Sequence, residues 1–135
     1  MPDDLATRIE REELTPELCE EVARFFGWSS STDTNLTVWK HPRQPNFWPY
    51  QAPPYAGSLD AIRAEMPERW RILDISVFPS RAHAYLIAKQ SDLMVTVAAR
   101  ASGDPLDAER RATLAAIVRA AEVERANAKR RNPHE

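Results

Sequence analysis

Glycine is almost missing from this chain: Gly27, Gly57 and Gly103 are the only three in 135 residues. A phosphate-cradling loop or a dinucleotide fingerprint needs several glycines within a few positions, so both are excluded. Cysteine is scarcer still. Cys19 stands alone, which rules out an intrachain disulfide, and its neighbours Leu18, Val22 and Phe26 predict a buried thiol. With no second cysteine and with His41, His83 and His134 far apart in sequence, no spacing suits a structural zinc site. Neither metal nor cofactor is expected. Long apolar runs are also lacking: nothing approaches the ~20 residues that span a bilayer. The opening MPDDLATRIER is acidic and without an apolar stretch, so the expectation is a cytoplasmic protein with no membrane contact.

What is present describes an ordinary globular chain. Its 43% hydrophobic and 28% charged residues are those of a folded domain, and its length allows one core but not two. The formal net charge of -2 conceals a polarity. Residues 1–21 hold eight acids against Arg8 and Arg11, whereas residues 119–131 hold Arg119, Arg125, Lys129, Arg130 and Arg131 against Glu122 and Glu124. Such ends attract each other within a chain or between two chains, and the basic one also suits a phosphate backbone. A homo-oligomer is expected on these grounds.

Along the chain, Leu5 and Ile9 predict a short amphipathic turn from Asp4. Thr15 as N-cap and Pro16 at the first helical position predict a second helix. Its apolar face is Leu18, Val22, Phe25 and Phe26, and Gly27 ends it. Leu36 and Val38, alternating with Thr37 and Trp39, predict the first strand of the sheet. The stretch WKHPRQPNFWPYQAPPY follows, in which Pro42, Pro45, Pro49, Pro53 and Pro54 forbid a central strand or helix. Ser58 caps a brief helix with Leu59, Ile62 and Met66 inward, stopped by Pro67.

Residues 71–78, 83–89 and 93–101 read as three strands separated by Pro79-Ser80-Arg81 and Gln90-Ser91-Asp92, short enough for an antiparallel meander. Trp70 and Ile72 are out of phase with Leu73, Ile75 and Val77, which predicts a bulge near Ile72 and Leu73. Met94 and Ala98 make the second face of the last strand apolar too, so the sheet is expected to be covered on both faces. A final helix begins at Asp104 and Pro105, with Leu106, Leu114, Ile117, Val118 and Ala121 as its stripe and charges opposite. The fold class is α+β, an antiparallel or mixed sheet with helices packed on it, and Phe26, Ile75, Val95 and Ile117 are expected to be buried. Residues 1–125 form a single domain; residues 126–135, with nothing to bury, are expected to be a frayed basic tail.

The passage Pro53-Pro54-Tyr55-Ala56-Gly57-Ser58-Leu59-Asp60-Ala61, followed by Met66-Pro67-Glu68-Arg69-Trp70, resembles the central signature of the phage α/β/α (ABA) sandwich domain family. The opening, Leu5 and Ile9 and then a helix closing at Phe26-Gly27-Trp28, is similar to that family's as well. The resemblance spans roughly residues 4–121. It implies a three-layer α/β/α sandwich encoded by tailed phages or prophages, acting in a bacterial host cell, and it implies no activity. Each residue of the signature also has a local structural use: Ser58 caps, Asp60 suits the helix dipole and Pro67 ends the helix.

The feature least explained by folding is the proline-rich passage. There Trp39, Trp48, Tyr50 and Tyr55 interleave with Lys40, His41 and Arg43, combining stacking surfaces with cations. That mixture suits a nucleobase with its phosphate or the hot spot of a partner protein, and five prolines between residues 42 and 54 preorganise it. Trp39, Lys40, His41, Arg43, Trp48, Tyr50 and Tyr55 are therefore the candidate binding residues. The first reading is a non-catalytic phage accessory protein that captures a host protein or a small nucleotide-type ligand and counters a host system. The second is a small enzyme acting on nucleotides or nucleic acid, with Asp74, His83 or His41 as acid or base. A virion or assembly protein is the third.

Overall fold

A computed structural model describes residues 4–131 except Ser91. The chain runs α1 (Leu5–Arg11), α2 (Pro16–Phe25), β1 (Ser29–Asp33), β2 (Leu36–Lys40), α3 (Leu59–Arg63), β3 (Trp70–Phe78), β4 (Arg81–Gln90), β5 (Leu93–Ser102) and α4 (Pro105–Arg131). The caps predicted at Thr15 and Ser58 are in place, and Asp4 adds a further one. Asp4 Oδ1 accepts from Thr7 N–H at 2.8 Å, Thr15 Oγ1 from Leu18 N–H at 3.2 Å and Ser58 Oγ from Ala61 N–H at 3.1 Å, each satisfying an otherwise unpaired first-turn amide. Gly27 takes φ +101° where α2 stops; a Cβ there would lie 3.3 Å from His41 Nε2, so the chain reversal needs glycine twice over.

Strands β3, β4 and β5 form the expected antiparallel meander in the order β3-β4-β5, with a register shift that bulges Leu73 between Ile72 and Asp74. The strand predicted around Leu36 belongs elsewhere. It pairs with β1 in a separate two-stranded hairpin whose turn holds Thr34 at φ 48° and Asn35 at φ 68°, the left-handed pair that a tight two-residue hairpin requires.

Helices pack on the antiparallel sheet, as the α+β reading requires, with α4 laid across one face. The inward rows are Val77/Ala82/Ala101, Ile75/Ala84/Ala99, Ile72/Leu86/Val97 and Trp70/Ala88/Val95, and α4 lies across them. The outward rows carry Phe78, His83, Tyr85, Ile87, Met94 and Arg100, none of them buried, so this face is open rather than covered. The middle layer is α4 itself, with α1 and α3 against its other sides.

That position explains why α4 is not the one-sided helix the stripe suggested. Every residue from Arg111 to Val118 is buried while Leu106 is exposed, the pattern of a helix enclosed all round. Arg111 tolerates burial because its guanidinium donates to Ser102 O, to Glu10 O at 2.7 Å and to Asp107 Oδ2 at 2.7 Å. Ile117 is buried as expected; Phe26, Ile75 and Val95 are only half-buried. The helix also continues to Arg131, past the predicted onset of fraying at residue 126. Arg125 stacks on the Phe25 ring, 3.9 Å from its centroid, and donates to Phe25 O, and good helix formers propagate the last turns cheaply. Residues 132–135 of the predicted tail lie outside the described residues.

The charged ends meet within the chain. Arg119 grips Glu10 through both carboxylate oxygens at 2.7 and 2.8 Å, and Glu10 also accepts from Arg100 N–H at 2.8 Å. Among the described residues no helix is long and apolar enough to cross a membrane.

Candidate functional site

The proline-rich passage, residues 41–57, forms neither helix nor strand. Its prolines cannot donate to a ladder, so it is held by isolated ties: Trp39 N–H to Pro49 O at 2.8 Å, and His41. His41 Nδ1 accepts from Arg43 N–H at 3.0 Å, which makes Nε2 the protonated nitrogen, and Nε2 donates to Phe26 O at 2.9 Å. Its ring also packs against Trp28, centroid to centroid 5.0 Å. Through both ring nitrogens His41 fastens the passage to the end of α2.

This segment arches away from α3 and leaves a cavity of about 580 Å³ between them. Trp28 and Pro54 wall it, Ala61, Ala64 and Glu65 line its α3 side, and Phe47 and Tyr50 stand exposed at its mouth. One acid sits among these apolar groups. Glu65 Oε2 accepts from Trp28 Nε1–H at 3.0 Å and from the Tyr55 hydroxyl, while no protein donor reaches Oε1 among the described residues. Burial and the adjoining Glu65 carboxylate hold the Tyr55 phenol far above its ordinary range, so it stays a donor. The carboxylate is thus fixed by two rigid aromatic donors with one oxygen left for a guest. A smaller cavity of about 220 Å³ shares Gln44, Ala64 and Glu65 with the first and adds His41, Arg43, Glu124 and Arg125.

The candidate residues divide. Trp39 and Tyr55 belong to the core, at 3% and 0% exposure, and Trp39 also lines a further cavity of about 490 Å³ together with Tyr50. Arg24 stacks over Trp39 at 5.2 Å. Tyr50, 68% exposed, lines the larger cavity, and Arg43 lines the smaller. Trp48 is 58% exposed and lines neither; Lys40 Nζ sits 5.5 Å above its ring. Glu65 and Trp28 were missed. They are 37 residues apart, and no local spacing marks them.

Asp74 and His83 share the open sheet face but occupy different rows: Asp74 sits opposite Tyr85, and His83 opposite Ser76. Asp74 Oδ2 accepts from Ser76 Oγ at 2.7 Å, and no hydrogen bond joins Asp74 to His83. His134 lies outside the described residues. Burial pushes the Cys19 thiol up, away from the nucleophilic thiolate. Among the described residues no three His, Cys, Asp or Glu side chains are placed to hold a metal ion. No protein family, curated protein or solved structure matches the chain.

Proposed function

We propose that this protein works by binding rather than catalysis, and that its ligand is a small planar molecule of nucleotide type held over Glu65. The carrying observation is the carboxylate itself, anchored by Trp28 and Tyr55 in the wall of a mainly apolar cavity with Oε1 unclaimed among the described residues. A carboxylate accepts only from donors, so it favours a base with an exocyclic amino group over uracil, whose one donor, N3–H, lies between two carbonyl oxygens that the carboxylate repels. The cavity volume falls in the range of small-molecule sites. Tyr50 and Phe47 give the guest a stacking rim, and Arg43 and Arg125 of the adjoining cavity suit its phosphate. A phage accessory role countering a host system rests on the resemblance of residues 53–70 alone.

Calorimetric titration with AMP, CMP, GMP and UMP tests the reading. The three amino-bearing nucleotides are expected to bind and UMP to bind more weakly; Glu65→Gln should reduce the affinity about tenfold or more while the protein stays folded, as loss of a charge-assisted hydrogen bond requires. No binding by any of the four, or equal binding after Glu65→Gln, would falsify it. The exposed ring of Trp48 with Lys40 beside it favours a second occupant, a host protein inserting a basic side chain into the same cavity. Trp48→Ala would then weaken capture of the partner and leave nucleotide affinity unchanged.

A further inference from the structure

The open face of the β3-β4-β5 sheet takes no part in the cavity over Glu65, and its composition is not that of a merely solvated surface. Reading the register across it, Phe78 pairs with Arg81, His83 lies between Ser76 and Arg100, Tyr85 lies between Asp74 and Ala98, and Ile87 lies between Arg71 and Thr96. Three rings form a continuous ladder: Phe78 to His83 at 5.6 Å and His83 to Tyr85 at 6.4 Å, both edge to face. Ser76 beside His83 and Ala98 beside Tyr85 are small, and Tyr85 and Phe78 are 37% and 39% exposed, with Arg81 over one face of Phe78.

The charge on this face is one-sided. Arg71, Arg81, Lys89 and Arg100 point outward with Asp74 as the single acid, although the whole chain is net negative. Among the described residues none of these four cations is in an ion pair with a carboxylate. Arg81 lies over the Phe78 ring at 4.9 Å, and Asp74 is occupied by Ser76. A second copy of the chain docked through this face would set the same cations against each other. A polyanion with planar groups meets both features, because unpaired bases stack on exposed rings while cations track the phosphates.

We propose that the open face of this sheet binds single-stranded nucleic acid. Tyr85 and His83 are the stacking platform, Phe78 extends it, and Arg71, Lys89 and Arg100 flank it as phosphate contacts. The site is separate from the cavity over Glu65 and stands or falls independently of it.

Fluorescence anisotropy of the full chain with a labelled oligo(dT) of about twenty nucleotides, at about 50 mM salt, reads the interaction directly. Binding is expected, weakening steeply as salt rises, and a duplex of the same length should bind less well because its bases are already stacked. Tyr85→Ala should lower the affinity about tenfold, and Arg100→Ala should lower it with a shallower salt dependence. Thermal midpoints are measured for both variants, so that lost binding counts only for folded protein. The proposal is overturned by an absence of binding at about 100 μM protein, the upper end of non-specific affinities. It is equally overturned by indifference to both substitutions, which would move the contact to the basic end of α4, or by binding to anionic vesicles but not to the oligonucleotide.

Discussion

On β4 the residues alternate between two environments only a strand's thickness apart. Ala82, Ala84, Leu86 and Ala88 point inward and are buried; His83, Tyr85, Ile87 and Lys89 point outward and are not. The inward set is small and packs against α4: alanine on the strands faces the alanine-rich stretch from Ala112 to Ala121. The outward set lies on the face that no helix covers among the described residues and so accepts rings and cations. A core made of small side chains depends on fit more than on the bulk of any one residue, whereas the outer face makes few contacts that folding needs.

Neighbouring positions on the strand give the sharpest contrast. Leu86→Ala removes the largest inward side chain of β4, and the surrounding alanines cannot collapse into the space, so a loss of ~2–5 kcal/mol in chemical denaturation is expected. A smaller loss would mean that the inner face is looser than its burial indicates. Next comes Arg111→Ala, which leaves Ser102 O and Glu10 O without their donor. About 1–3 kcal/mol should be lost by the same measurement, the cost of part-buried carbonyls left without a donor.

Acid titration probes the seam where α1 meets α4 and the edge of β5. Burial raises the Glu10 carboxyl, but Arg119 and the Arg100 amide outweigh it and hold the group below its ordinary value. Its folded pKa therefore lies under the unfolded value of about 4.3. The resulting stabilisation is complete above that value and disappears as pH falls through the folded pKa. Thermal midpoints of the wild type should drop over this interval, and in Glu10→Gln this component of the drop should be absent. The smallest effect is expected outside: Tyr85→Ala should change stability by no more than ~0.5 kcal/mol. A Tyr85→Ala variant that melts like Leu86→Ala would show the two faces to be equally essential.

Much of this contrast was legible beforehand, and the reasons are local. Caps at Thr15 and Ser58, prolines at positions 16, 67 and 105, and the slip in phase at Leu73 each act within a few residues, so sequence alone displays them. Strand β1 was missed because Ser29–Asp33 is polar and exposed throughout, with no alternation to read, and because its turn uses Thr34-Asn35 without glycine. The enclosure of α4 was missed because alanine suits a buried or an exposed face equally, and because Arg111 is made tolerable by carbonyls from elsewhere in the chain. In the candidate site the aromatic residues were found but their depth was not. Tyr55 is drawn inward by Glu65, ten residues on, and Trp39 is packed beneath the proline-rich passage that seemed to present it.

The central place of α4 also bears on the order in which the molecule can be assembled. Its partners in the core, the sheet and the N-terminal helices, all precede it in the chain, and the Glu10–Arg119 contact joins positions 109 apart. While the chain is being synthesised, the alanine-paved side of the meander has nothing to cover it and α1 has only the edge of β5 to rest on. Both wait, exposed, until α4 has left the ribosome. Folding is then a single late closure around one helix, and a nascent chain halted near residue 104 should be bound by chaperones or degraded rather than accumulate as a stable half.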